Sequence, residues 1–268
     1  MVALSDELCQ WVNTSALAGT VKWSMCVYPA HSSRDIHVSG DIVKWGAWEP
    51  NFVNGMLRAL QVHADQKPAL LDLGANIGAF TLAAASAGFR VYAFEPVPRN
   101  ADMLMSSIRR NGLEHLVTLY PFAVSAEVGT FKMGVSNMNQ GGVHHEPSRE
   151  SRGVQLAAVP LDRVMRPAEL PVFYLKMDLE DGECRAVRGM QRLVATTDII
   201  GVNMETHART KECCVVDGWT ESGGFWHLLS TRHKLVPNTP VGGKLRGMLA
   251  GGCYETRYDV VWTRTRAE

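Results

Sequence analysis

The chain has 268 residues, 46% of them hydrophobic, with 27 basic against 27 acidic side chains. That composition can bury a sizeable core, and the even charge balance argues against a surface built to hold nucleic-acid phosphates or an anionic membrane. There is no apolar run near the ~20 residues of a membrane span, and the six cysteines show no CxxC pair or repeated spacing, so the sequence reads as a cytoplasmic protein with reduced thiols.

In chain order, the first 66 residues read as an N-terminal arm packing on the core, with Phe52, Val53, Met56, Leu57 and Leu60 at helical spacing. From Ala69 onward short apolar runs alternate with helical segments, the pattern of βαβ units on a mostly parallel sheet. Strands are expected at residues 69–73, 90–96, 117–124, 173–179 and 197–205. Helices are expected over 79–87 and 98–112, the second opening on Pro98 and closing on Gly112. One further helix carries Ala186, Val187, Met190 and Leu193 on its apolar side. HKLVP and YDVVWTR have no long helix between them and are expected to pair antiparallel at the sheet edge, for seven strands in all. Between residues 125 and 171 the chain turns polar, and GTFKMGV and GVQLAAVPL are expected to form an inserted hairpin that is either a lid or a long loop. No linker composition divides the chain, so 1–268 is expected to be one domain.

The stretch LLDLGANIGAF runs from the first expected strand into a glycine turn. A dinucleotide fingerprint is G-x-G-x-x-G, and here Asn76 replaces the second glycine while Gly78 follows Gly74 one residue too early. No GxxxxGK[ST] is present for a triphosphate. A carboxylate at the strand end, Asp72, suits a ligand that presents an ammonium group, as the amino-acid end of S-adenosylmethionine does. Gly74 and Gly78 let backbone approach it. Glu95 closes the second strand 21 residues after Gly74, where an acid accepts hydrogen bonds from ribose hydroxyls.

LLDLGANIGAFTL, VYAFEPVPRN, PFAVS, LKMDLEDGE and NMETH, in that order and spacing, resemble the FkbM family of S-adenosylmethionine-dependent methyltransferases over about residues 36 to 265. The resemblance implies a class I methyltransferase fold: an α/β, Rossmann-like, seven-stranded and mostly parallel sheet with an antiparallel C-terminal strand and helices on both faces. It also implies S-adenosyl-L-methionine as cofactor and methyl transfer to a hydroxyl of a sugar or other small molecule. On it, Asp72, Gly74, Asn76, Gly78, Glu95, Ala123 and Asp178 map to cofactor contacts, and Glu49 in GAWEP to an acidic position near the methionine end. One departure is Asp181-Gly182, where the family usually has glycine directly after the second acid.

Removing a proton from an alcohol calls for a base near the carboxyl ends of the fourth and fifth strands. His207, whose unperturbed pKa is ~6.5, leads the candidates there, with Glu205 and Glu180. Glu183 reads as a helix-start acid. The same carboxylates also suit an oxygen-liganded divalent cation, which is not the expected reading. A base-modifying enzyme is disfavoured because no [DN]PP[YFW] occurs. A methyltransferase of macromolecules and a cofactor-binding scaffold without turnover remain the alternatives.

Overall fold

Apolar alternation and helix-forming segments build a layered α/β protein in the computed structural model, which describes residues 9–29, 35, 37–134, 153–180, 182–206, 232–237 and 258–264. The chain opens with an antiparallel hairpin of β1 (Gln10–Ala16) and β2 (Val21–Val27), followed by helices α1 (Val38–Trp45) and α2 (Pro50–Val62). Pro98 starts a later helix and Pro50 starts α2, each at a position where a missing N–H costs nothing.

Then come β3 (Ala69–Leu73), α3 (Ala79–Ser86), β4 (Arg90–Phe94), α4 (Pro98–Arg110) and β5 (Val117–Tyr120). After these, β6 (Ala123–Val124), β7 (Gly129–Gly134) and β8 (Gly153–Val159) form a separate three-stranded sheet in the order β6-β8-β7. The chain continues through α5 (Leu161–Val164), β9 (Val172–Met177), α6 (Glu183–Arg188), α7 (Gln191–Thr196), β10 (Asp198–Thr206), β11 (Leu235–Pro237) and β12 (Tyr258–Arg264).

Among the described residues the main sheet has seven strands, ordered β11-β12-β10-β9-β3-β4-β5. β10, β9, β3, β4 and β5 are parallel, and β12 runs against both β10 and β11. The expected antiparallel edge is therefore present. One face of the sheet packs Leu70, Val91 and Tyr174 under α2, α3, α4 and the hairpin. The other packs Leu71, Phe94, Leu175 and Val202 against Val187, Leu193 and their neighbours on α6 and α7. No described helix is long and apolar enough to cross a membrane.

Four expectations are corrected. Residues 117–124 are not one strand: Pro121 has no N–H for a ladder, and the chain leaves the main sheet there, so Ala123 and Val124 pair with β8 instead. The helix expected through Met190 and Leu193 breaks after Arg188. Gly189 presses on β6, where an added Cβ would lie 2.0 Å from the Ser125 carbonyl oxygen, and Asp162 restarts the helix by accepting the N–H groups of Arg192 and Leu193, each at 2.8 Å. The arm contains two strands that were not anticipated. Finally, Cys9 and Cys26 are joined as a disulfide, because hairpin pairing brings their Cα atoms to 5.3 Å, so this pair is not reduced thiols.

Candidate functional site

The turn from β3 to α3 is shaped by three left-handed residues, Gly74 at φ +79°, Asn76 at +52° and Gly78 at +99°. Gly74 is dictated by close approach: a Cβ would sit 1.9 Å from the backbone oxygen of Asp178, at the end of the neighbouring strand. The Asn76 side chain supports its own turn by accepting the N–H of Ile77 at 2.8 Å.

Glu95 stands just past β4, buried to 4% exposure. Its Oε2 accepts the N–H of Asn76 and its Oε1 the N–H of Val97, both at 2.8 Å, so the carboxyl ties the glycine turn to the start of α4. Burial pushes it up to about 7, against the downward pull of the Val97 and Asn76 amides, Lys176 and Asn100.

Asp72 lies fully buried beneath the turn. Its Oδ2 accepts the Thr81 hydroxyl at 2.6 Å, and its Oδ1 lies 3.7 Å from the ammonium of Lys176. The cation expected to face Asp72 thus comes from the protein itself. Lys176 is directly opposite Asp72 in the β3–β9 register and Asn203 is opposite Lys176 on β10, so a buried polar row crosses three strands. Lys176 also donates to the Gly74 carbonyl at 2.7 Å and lies 3.6 Å from Asp178 Oδ2. Burial works to lower the Lys176 pKa, but Asp178, Asp72, Glu49 and Glu95 together raise it, so the ammonium stays charged. Burial raises Asp72 in turn, with Lys176 and Thr81 opposing.

Asp178, Glu180 and Glu205 converge where β9 and β10 end, with one ligand-capable atom of each within 4.8 Å of the others. Glu180 holds φ +50° and Glu49, which begins α2, holds φ +44°, so two further candidates sit on sparsely populated backbone. Glu49 is half-buried and close enough to Lys176 to act on its charge. Glu183 is a structural acid: buried to 1%, it accepts the Leu179 N–H at 2.8 Å and closes the loop onto α6. Ala123, half-buried on β6, lines a groove with Ser125, Thr130, Gly182 and Arg185. His207 and Asp181 lie outside the described residues.

The structure thus gathers Gly74, Asn76, Gly78 and Glu95 into one cradle, with Asp178, Glu180 and Glu205 at its mouth. Lys176 was not among the residues expected to serve the site. The available signal was a lysine inside an otherwise apolar strand, where a buried ammonium must have anionic partners.

The seven-stranded sheet, with five parallel strands, β12 antiparallel and helices on both faces, is the class I methyltransferase fold. The chain belongs to the FkbM family, matching the model of the methyltransferase FkbM domain over residues 72–230, more than half its length. No protein of curated function matches it. Among solved structures, the methyltransferase FkbM from Methylobacillus flagellatus KT is 16% identical, with a TM-score of 0.44, over 73% of this chain and 43% of that one. The T. thermophilus 16S rRNA N2 G1207 methyltransferase RsmC, in complex with AdoMet and guanosine, is 13% identical, with a TM-score of 0.41, over 97% of this chain and 51% of that one. A SAM-dependent methyltransferase from Agrobacterium tumefaciens is 10% identical, with a TM-score of 0.42, over 96% of this chain and 71% of that one. The chain spans about half the length of the first two.

The donor set fits the family's cofactor. Glu95 would accept the vicinal ribose hydroxyls on its remaining lone pairs, beside the positive-φ turn that its carboxyl braces. Asp178 is 38% exposed in its side chain, which leaves it available to an ammonium group while Asp72 is not.

Proposed function

We propose that this chain is an O-methyltransferase acting on a hydroxyl of a small-molecule or carbohydrate acceptor. The observation that carries the reading is the convergence of Asp178, Glu180 and Glu205 at the ends of two adjacent strands, on the same side of the sheet as the glycine turn. When bound, S-adenosylmethionine supplies a methyl group on a sulfonium, ready for in-line displacement.

The residues of this chain do the rest. Gly74, Asn76, Gly78 and Glu95 hold the nucleoside, and Asp178 and Glu49 face the amino-acid end. Glu180 or Glu205 takes the proton as the acceptor oxygen forms its bond to carbon, and His207 is the further candidate for that role. The enzyme's main contribution is alignment of the oxygen with the methyl carbon in a site the carboxylates and turn enclose.

Transfer of labelled methyl to a panel of sugar and small-molecule hydroxyl acceptors tests this. For the acceptor that is methylated, Glu205→Gln and Glu180→Gln are compared with the parent, and at least one is expected to lower kcat by about a hundredfold or more with S-adenosylhomocysteine affinity unchanged. Label recovered on nitrogen, or kcat indifferent to both substitutions and to His207→Gln as well, contradicts the reading.

A further inference from the structure

Glu95 is reached from outside the region that matches the family. Tyr28, just after β2, donates its hydroxyl to Asn100 Oδ1 at 2.7 Å, and Asn100 Nδ2 points at Glu95 Oε1 at 3.5 Å. All three side chains are buried, at 2%, 0% and 4% exposure. The Arg99 guanidinium covers the Tyr28 ring at 4.8 Å.

Helix α4 holds β2 in place for this contact. Asn111 clamps Ser24, accepting its N–H at 2.8 Å and donating to its carbonyl at 2.7 Å, and Ser107 Oγ accepts the Cys26 N–H at 2.9 Å. Alternate residues 24, 26 and 28 of the hairpin strand are therefore met by Asn111, Ser107 and Asn100, spaced along one face of the helix. The last of these contacts ends on the ribose-directed acid.

We infer that Tyr28 and Asn100 are positioning residues of the cofactor site, the tyrosine hydroxyl fixing the Asn100 amide so that its NH₂ group faces Glu95 and holds that carboxylate ready for the ribose hydroxyls. The amide of Asn100 has an acceptor end and a donor end, and only one orientation presents the donor to Glu95. The Tyr28 O–H donates to the acceptor end at 2.7 Å, which leaves the donor end to Glu95. Lys176, from β9, is the charged group that acts on Glu95, and Asn76 and Val97 supply its backbone donors.

This inference rests on the cofactor reading, and the test separates the two. S-adenosylhomocysteine is titrated calorimetrically into the full chain between about pH 5.5 and 8.5, where burial of Glu95 puts its titration inside the window. The parent is compared with Tyr28→Phe, Asn100→Asp and Glu95→Gln. Tyr28→Phe is expected to move the midpoint of the affinity profile up by about half a pH unit, so that binding is about threefold weaker near pH 6.5 and equal to the parent at pH 8.5. Asn100→Asp, which turns the donor into a second acid, is expected to move it up by about one unit or more. Equal weakening at every pH, or an unmoved midpoint in both variants while Glu95→Gln flattens the profile, would mean that the pair serves packing only and would overturn the inference. A Glu95→Gln variant that binds like the parent at every pH overturns the cofactor reading and this inference with it.

Discussion

Glu95 is the residue whose chemistry is most exposed to measurement. Its folded pKa of about 7 lies above the ordinary 4.5, so the folded ligand-free protein binds more protons than the unfolded chain between those values. Stability conferred on that state is fully present below the ordinary value and is lost as pH rises through about 7, by roughly 3 kcal/mol for this one group. Cofactor binding has the opposite sign, because ribose hydroxyls donate to the carboxylate form. S-adenosylhomocysteine affinity is expected to fall by about tenfold per pH unit below 7 and to level off above it, as read by calorimetry. Lys176 gives a second residue-scale prediction. Lys176→Met leaves Asp72 and Asp178 without their shared cation and is expected to cost about 3–5 kcal/mol in urea unfolding. Adding Asp72→Asn is expected to recover part of that loss, and simple additivity of the two substitutions would show that the pair is not coupled.

At the scale of elements, the β3–α3 turn and the α4–β2 contact differ in how much the sequence disclosed. The turn of Gly74 and Gly78 and its brace Glu95 were legible because two turn glycines and a strand-ending acid lie within one βαβ unit, where local spacing decides geometry; Asp72 was expected to face a ligand's ammonium group and faces Lys176 instead. Gly74→Ala is expected to destabilise by about 2 kcal/mol or more and to abolish measurable nucleoside binding, since the substitution faces both φ +79° and the Asp178 carbonyl. A Gly74→Ala protein with unchanged melting temperature would refute that strand-end contact. Lys176 was not legible in its role, because its partner Asp72 lies more than a hundred residues earlier and only strand register sets them opposite each other. Asn100, Ser107 and Asn111 likewise read as ordinary polar helix positions until β2 arrives to use them. Ser107→Ala leaves the buried Cys26 N–H without its acceptor, and a loss of about 1–3 kcal/mol is expected by thermal or urea unfolding.

For the whole molecule, the mostly parallel sheet was recoverable from the alternation of apolar runs and helices, and the late antiparallel pair from the missing helix between HKLVP and YDVVWTR, whereas the order of the strands was not predicted. The N-terminal hairpin was not, since Asn13, Thr14 and Ser15 interrupt the alternation that marks a half-buried strand, and Cys9 comes within 5.3 Å of Cys26, which lies opposite Trp11, only once the hairpin has formed. The second sheet was half visible: its hairpin was expected, but Ala123 and Val124 were assigned to the main sheet although Pro121 stood in the way. On the proposed reading the central strands end in the cofactor cradle, with the hairpin bracing it from one side and the carboxylates after β9 and on β10 standing on the other. The measurement that tests this arrangement most directly is calorimetric titration of the full chain with S-adenosylmethionine, S-adenosylhomocysteine and NAD at pH 8. Binding of both sulfur nucleosides at micromolar concentration and none of NAD is the predicted result; binding of NAD without the sulfur nucleosides would contradict it.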